Sequence, residues 1–255
     1  MKKIFILLFH TFVASTLQAQ TTITYNYTDL NGYSCKSELL VKGKESIFTI
    51  EDSRKDVNNT NSLGEAYKLY NDKWSRIFYK GNNTVLTRIP IYGKEVVYSC
   101  DEQRVTLKRK FKTIAKYECQ EAEIVKGNRV YSVWFCKNIP ISHGPLNLHG
   151  IPGLVVEVSD SSNNKFKILL EGVSKTIDQE KFVKYKDFIL SKKALTCDSY
   201  KKEIVDLLKN TKIKNYAILA QHDAKINYAE DQSYFTKHII DIPDNLVKEL
   251  QKIRQ

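Results

Sequence analysis

The chain has 255 residues, and its 40 Lys and Arg outnumber its 29 Asp and Glu, so the formal net charge is +11. The length is ample for a hydrophobic core that does not depend on disulfides. The positive charge is scattered apart from a cluster at Lys108, Arg109, Lys110 and Lys112, and no nucleic-acid-binding motif accompanies it. We therefore predict a globular protein with a solvated basic face and no nucleic-acid ligand.

The first 19 residues have the pattern of a secretory signal peptide. Lys2 and Lys3 precede a mostly apolar run over residues 4–13, and Ala19 suits a cleavage site before residue 20. The run is shorter than the roughly 20 apolar residues that span a bilayer. We expect an exported mature chain with no transmembrane span, located in the periplasm or cell envelope or secreted.

The pattern after residue 20 predicts strands separated by turns. Residues 22–30 alternate, and residues 38–41 and 46–50 flank a turn at residues 42–44. Further short runs are rich in aromatic and β-branched residues; they cover residues 66–70, 74–79, 84–89, 95–100 and 105–111. This spacing predicts an antiparallel sheet that curls or closes.

The register of one hairpin follows from its turn. Two predicted strands flank the Gly-Asn pair at residues 127–128, which suits a two-residue loop. Lys126 then faces Arg129, and further out Cys119 faces Cys136 at a non-hydrogen-bonded position, where Cα atoms approach to about 4.5 Å. We predict a Cys119–Cys136 disulfide; two free thiols lying side by side are the alternative.

The same register divides the hairpin's side chains between two faces. One face holds the core candidates Ala122, Ile124, Tyr131, Val133 and Phe135, whereas Trp134 lies on the other face, near the cysteines. The pairing of Cys35, Cys100 and Cys197 stays open. No C-x-x-C spacing occurs, which argues against thioredoxin-type chemistry and a structural zinc site.

Prolines and glycines are concentrated in residues 139–153, directly after this hairpin. Proline fixes φ, and glycine reaches φ values that other residues avoid. We predict a shaped loop that leads into a buried strand beginning at Leu154. The loop contains His143 and His149, which with Trp134 and Pro152 are our candidates for the rim of a ligand site.

The last third, about residues 176–255, changes to helical patterning. Residues 198–210 carry apolar residues at helical spacing, with Asp198 or Ser199 as the cap, and residues 246–253 form a short terminal helix. We predict one β-rich domain over residues 20–255. Its fold class is mainly β (α+β), a curved antiparallel sheet or partly open barrel with C-terminal helices.

One set of residues stands out between residues 117 and 158: Tyr117, Cys119, Ala122, the Gly-Asn-Arg turn, Tyr131, Trp134, Phe135, and the motif Gly150, Ile151, Pro152, Gly153, Leu154 and Val155. This pattern resembles the GLPGLI family of exported Bacteroidetes proteins. The family has no known function, so the resemblance implies no substrate and no catalytic residue. Its layout is similar to periplasmic lipoprotein-carrier folds, in which helices plug a curved sheet.

The sequence lacks the G-x-S-x-G, H-E-x-x-H and phosphate-binding glycine-loop motifs, and we predict no catalytic residue, metal or cofactor. The 15 Tyr and 11 Phe favour either an ordinary core or a curved sheet around an apolar ligand. We interpret the chain as a non-enzymatic envelope protein that binds or carries an apolar or peptide ligand. Two alternatives stay open: a hydrolase using His143 or His149, and a scaffold subunit that docks on an outer-membrane partner through the loop or a sheet edge.

Overall fold

The structure is a computed structural model that describes residues 20–30, 32–50, 58–60, 66–68, 76–91, 94–127 and 129–221. The predicted signal peptide and the predicted helix at residues 246–253 lie outside these ranges. The described strands are β1 (Gln20–Thr28), β2 (Ser34–Lys42), β3 (Glu45–Ile50), β4 (Asn58–Thr60), β5 (Ala66–Lys68), β6 (Arg76–Lys80), β7 (Val85–Ile91), β8 (Lys94–Ser99), β9 (Gln103–Ile114), β10 (Tyr117–Lys126), β11 (Arg129–Cys136), β12 (Leu154–Asp160), β13 (Asn163–Ser174) and β14 (Leu195–Thr196). The helices are α1 (Gln179–Leu190) and α2 (Cys197–Gln221), and a 3₁₀ turn covers Pro145–Asn147.

A 12-stranded open sheet, with order β14-β8-β7-β6-β3-β2-β1-β13-β12-β11-β10-β9, dominates the fold. Only the short β14–β8 pair is parallel; the other described pairs are antiparallel. The strand β9 lies at one end of the sheet, and β8 lies near the opposite end. In the chain, however, only residues 100–102 separate β8 from β9. Because four residue steps reach about 14 Å at most, the two ends of the sheet must curl toward each other at this rim. The predicted mainly β class is confirmed.

The hairpin of β10 and β11 has the predicted register. Lys126 faces Arg129, and the pairing runs without a slip to Gln120 opposite Phe135. Gly127 has a φ of 56°, which a tight turn between two strands requires and most residues avoid. Turn chemistry therefore sets which side chains of this hairpin enter the core.

The inner face of the sheet carries the largest apolar core. Side chains from β6 through β10 along the order, including Tyr25 and Phe135, meet in one cluster with Leu146, Leu148 and Ile151 of the Pro/Gly loop. Strands that far apart can share one cluster only if the sheet curves around it. The loop is therefore part of the core.

The two helices cover opposite faces of the β2–β8 half of the sheet. On the outer face, α1 packs Phe182, Tyr185 and Ile189 against side chains of β2, β3 and β6. On the inner face, α2 packs Tyr200 against Tyr98 of β8, with the rings stacked 3.7 Å apart. Successive residues of a strand point to opposite faces of the sheet. Val97 therefore packs in the cluster with α1, and the next residue, Tyr98, packs in the cluster with α2.

The start of α2 differs from the prediction. The helix begins at Cys197, and the hydroxyl oxygen of Thr196, rather than Asp198 or Ser199, accepts a hydrogen bond from the Ser199 amide at 3.2 Å. Thr196 is the last residue of β14, so strand pairing sets where the helix starts. Neither described helix combines the length and apolar character needed to cross a membrane.

Candidate functional site

Residues 139–154 fold into a narrow loop on the inner face. The Leu154 amide donates to the Ile139 carbonyl at 2.9 Å and closes the base, and His143 and His149 form an antiparallel bridge halfway along. At the tip, Leu146 has a φ of 58°, an unfavourable conformation for a leucine that its complete burial offsets. The loop is therefore an inserted, internally bonded element.

Two hydrogen bonds fasten the tip of the loop to distant strands. Lys126 Nζ, at the end of β10, donates to the Leu146 carbonyl at 2.9 Å. Asn147 Nδ2 donates to the Leu86 carbonyl of β7 at 3.2 Å. Since β10 and β7 lie near opposite ends of the sheet order, the loop bridges the inner face and holds the sheet in its curled shape.

The motif at residues 150–155 has a structural role at the base of the loop. A Cβ atom on Gly153 would lie 2.7 Å from the carbonyl carbon of Cys136 and closer still to its oxygen. Gly150 has a φ of 77°, but its Cβ would meet nothing nearer than a Val105 methyl group at 3.5 Å. Ile151 is buried in the core. The motif therefore shapes the backbone and anchors the loop.

The two histidines lie side by side in the loop. His143 is buried, whereas His149 is partly exposed and its Nε2 lies 2.6 Å from Oδ1 of Asp101. Burial lowers the pKa of His143, and nearby Lys80 lowers it further, against a hydrogen bond with the Gly43 backbone. Burial also lowers the pKa of His149, although Asp101 opposes this. Both imidazoles are therefore neutral at neutral pH.

This histidine pair lacks the partners of a hydrolytic site. In the described part of the chain no hydroxyl group is hydrogen-bonded to either imidazole, and the neighbouring Ser142 is exposed. Nucleophilic catalysis needs the hydroxyl within about 3 Å of its base. The arrangement instead fastens the loop to the link between β8 and β9 through Asp101.

We expect acid to destabilise the protein through these histidines. Below the ordinary histidine pKa of about 6.5, the unfolded chain takes up protons that the folded chain, with its lowered pKa values, resists. Stability therefore falls as pH falls through that range, by on the order of 1 kcal/mol. Urea unfolding at neutral and mildly acidic pH should show a smaller loss in the double variant His143→Asn, His149→Asn; equal losses would contradict the assignment.

Trp134 lies on the outer face, away from the histidines. Lys112 Nζ is 4.1 Å from the centroid of its ring and 3.3 Å from Oε2 of Glu157. Pro152 is exposed on the loop. The structure therefore does not gather the four predicted rim residues; it joins His143 to His149 and separates them from Trp134.

The predicted Cys119–Cys136 disulfide is not formed. Both cysteines are free thiols in one small buried cluster on the outer face, and Cys100 is instead bonded to Cys197. The β10–β11 ladder ends one pair short of the cysteines, with register shifts in both flanking ladders. Burial and the neighbouring Cys136 raise the pKa of the Cys119 thiol, which disfavours the thiolate that starts disulfide formation.

The sequence did not reveal one further surface, the inner side of β9. In register, Leu107 faces Ala122 and Phe111 faces Gln120, which places both on the inner face. Leu107 is 47% exposed and Phe111 is 70% exposed. We call Leu107 and Phe111 the β9 apolar patch; it lies further along β9 than Val105, the residue that is next to Gly150 of the loop.

The outer side of β9 is basic. Lys108, Lys110 and Lys112 form ion pairs with glutamates of β10 and β12 at 3.1, 3.5 and 3.3 Å. Arg104 shares this face, whereas alternation places Arg109 on the inner side, between Leu107 and Phe111. In all, β9 has five cations and no carboxylate. The lysine cluster is visible in the sequence, but only the topology shows that it lies on the last strand of the sheet.

These features define a class of mainly β protein in which a buried Pro/Gly loop bridges a curled, open sheet. Residues 97–157 match the model of the family described as protein of unknown function (Porph_ging), which is the GLPGLI family. The match confirms the resemblance found in the motif at residues 150–155. No curated protein matches the chain.

Similar solved structures include two of one protein, described as the structure of PNGF-II in C2 and in P21 space groups. Their identities to this chain are 17% and 16%, and both TM-scores are 0.43. Each alignment covers 68% of this chain and 33% of the other, so the chain matches about a third of their length. A likeness at this level supports no statement about fold or activity here.

Proposed function

We propose that this protein is a non-enzymatic binding protein of the cell envelope that takes an apolar or peptide ligand at the β9 apolar patch. One observation carries the proposal: Leu107 and Phe111 stand exposed on the inner face of the strand that ends the sheet. Exposing a Phe side chain forgoes about 2 kcal/mol of burial. A bound ligand would recover that free energy.

The rest of the inner face supports placing the ligand at this end. From β6 to β11 along the strand order, the face is filled by packed aromatic side chains, such as Tyr25 and Phe48 with ring centroids 6.2 Å apart, and by the inserted loop. A ligand there would have to displace the loop and its hydrogen bonds. The end at β9 needs no such displacement.

Two further features support an envelope location without catalysis. The predicted signal peptide would export the chain, and the Cys100–Cys197 disulfide suits an oxidising compartment. The histidine pair lacks a hydrogen-bonded nucleophile among the described residues. The scaffold alternative agrees with the same surface, because a partner's segment is one form of peptide ligand.

A dye titration tests the patch. The probe is 8-anilinonaphthalene-1-sulfonate, which is apolar and anionic and reports its binding by fluorescence. We expect Phe111→Ser to weaken binding about tenfold, because about 1.4 kcal/mol of apolar contact corresponds to that factor. Val183→Ser is the matched control, since Val183 is 46% exposed on α1, remote from β9. Equal binding by both variants would refute the proposal.

A further inference from the structure

We infer that the ligand of β9 is an extended segment of a partner protein that adds to the sheet as a strand and alternates acidic with apolar residues. This inference rests on the proposed function and makes it more specific. It starts from the open edge of β9. Among the described strands, β9 has β10 as its only neighbour, and it is 12 residues long. Its other side therefore presents a row of backbone donors and acceptors.

The opposite end of the sheet is closed off. There β8 is paired with β14, a strand of only two residues that runs directly into α2. The Cys100–Cys197 disulfide fixes this arrangement. A short, tethered strand is one of the ways proteins block an edge. Within the described residues, one edge of the sheet is therefore protected and the long edge is left unpaired.

The side chains of β9 specify what an added strand must carry. Side chains of neighbouring strands pair across the ladder on the same face. On the inner face, the added strand would lie beside Leu107 and Phe111, which flank Arg109 in the alternation, so its inward residues next to these two apolar side chains should be apolar. On the outer face it would lie beside Lys108, Lys110 and Lys112, so its outward residues should be acidic.

The lysines keep capacity for a second carboxylate. Their side chains are 37%, 73% and 40% exposed although each is already paired with a glutamate. Lys110, the most exposed, also has the longest of these ion-pair distances, 3.5 Å. A carboxylate on a strand added beside β9 would therefore give these lysines a second acidic partner, on the side opposite to their present glutamates.

Charge argues against a second copy of this chain as the occupant. Because β9 has five cations and no carboxylate, pairing β9 with β9 would set cations opposite one another. Edge lysines also protect sheets from unwanted pairing, and that role predicts that no strand binds at all. The experiment separates these outcomes.

The test uses the full mature chain and a short synthetic peptide that alternates Glu with Val and Phe. Two matched peptides are compared: one with Lys in place of Glu, and one N-methylated on alternate residues, which lose their amide hydrogens. We expect the Glu peptide to bind by fluorescence anisotropy and to protect β9 amides from hydrogen exchange. Both matched peptides should bind at least tenfold more weakly, and Lys110→Glu should weaken the Glu peptide and strengthen the Lys peptide.

The outcomes separate the inference from the proposed function. If Phe111→Ser weakens dye binding but the Glu peptide does not bind, or binds regardless of charge and N-methylation, the inference is wrong and the proposed function stands. If Phe111→Ser changes neither dye nor peptide binding, both are wrong. A dimer in sedimentation velocity that Phe111→Ser dissociates would overturn the inference in favour of a second copy.

Discussion

Replacing Gly153 with alanine is expected to destabilise the protein by roughly 3 kcal/mol or more. The added Cβ would overlap the backbone carbonyl of Cys136, which belongs to β11 and cannot move without disturbing the β11–β12 ladder. The contact is with backbone, so a change of side-chain rotamer cannot relieve it. Urea unfolding of the variant measures the loss.

Gly150→Ala is the matched control for this prediction. Gly150 has a left-handed φ of 77° but open space around its Cβ position, so the substitution costs only the conformational strain of about 1–2 kcal/mol. Gly153→Ala should therefore be clearly the more destabilising of the two. If the order is reversed, close packing at the base of the loop is not the reason for this glycine.

Removing the Cys100–Cys197 disulfide is expected to cost about 2–5 kcal/mol. The bond closes a loop with a sequence separation of 97 residues, and it joins the start of α2 to the link between β8 and β9. In the entropic account, losing so long a loop frees the unfolded chain substantially. The double variant Cys100→Ser, Cys197→Ser should therefore unfold at lower urea concentration than the wild type.

Reduction provides the internal check. Adding a thiol reductant should lower the stability of the wild type toward that of the double variant and leave the variant unchanged. Cys35→Ser, which alters a half-buried cysteine outside the Cys100–Cys197 bond, should respond to reductant as the wild type does. A wild type that is insensitive to reductant would show that the bond does not stabilise the folded chain.

The hairpin of β10 and β11 shows how far sequence reasoning reaches. A Gly-Asn pair between two apolar runs predicts the register that the structure has, down to Gln120 opposite Phe135. The error comes one pair later, at Cys119 and Cys136. A register extrapolated from a turn assumes a regular ladder, whereas bulges in the flanking ladders depend on strands far away in the chain.

The sequence by itself determined the elements whose causes are local. Turn residues set the hairpins, alternation set the strands, and prolines and glycines marked the loop at residues 139–153. α1 falls within the last third predicted to be helical, but the helix itself was not placed, since its apolar face of Phe182, Tyr185 and Ile189 is explained only by the sheet it covers. The family motif was recognisable from sequence, but its physical role was not.

Only the tertiary structure decided what the Pro/Gly loop, the cysteines and β9 do. The loop is buried because strands from both halves of the sheet supply its partners, and Cys100 meets Cys197 because β14 pairs with β8. The basic cluster at Lys108 marks an open edge because the strand order ends there. The first two facts are contacts between residues far apart in sequence, and the third is that no described strand pairs with the other side of β9. No local pattern encodes which distant strands come together.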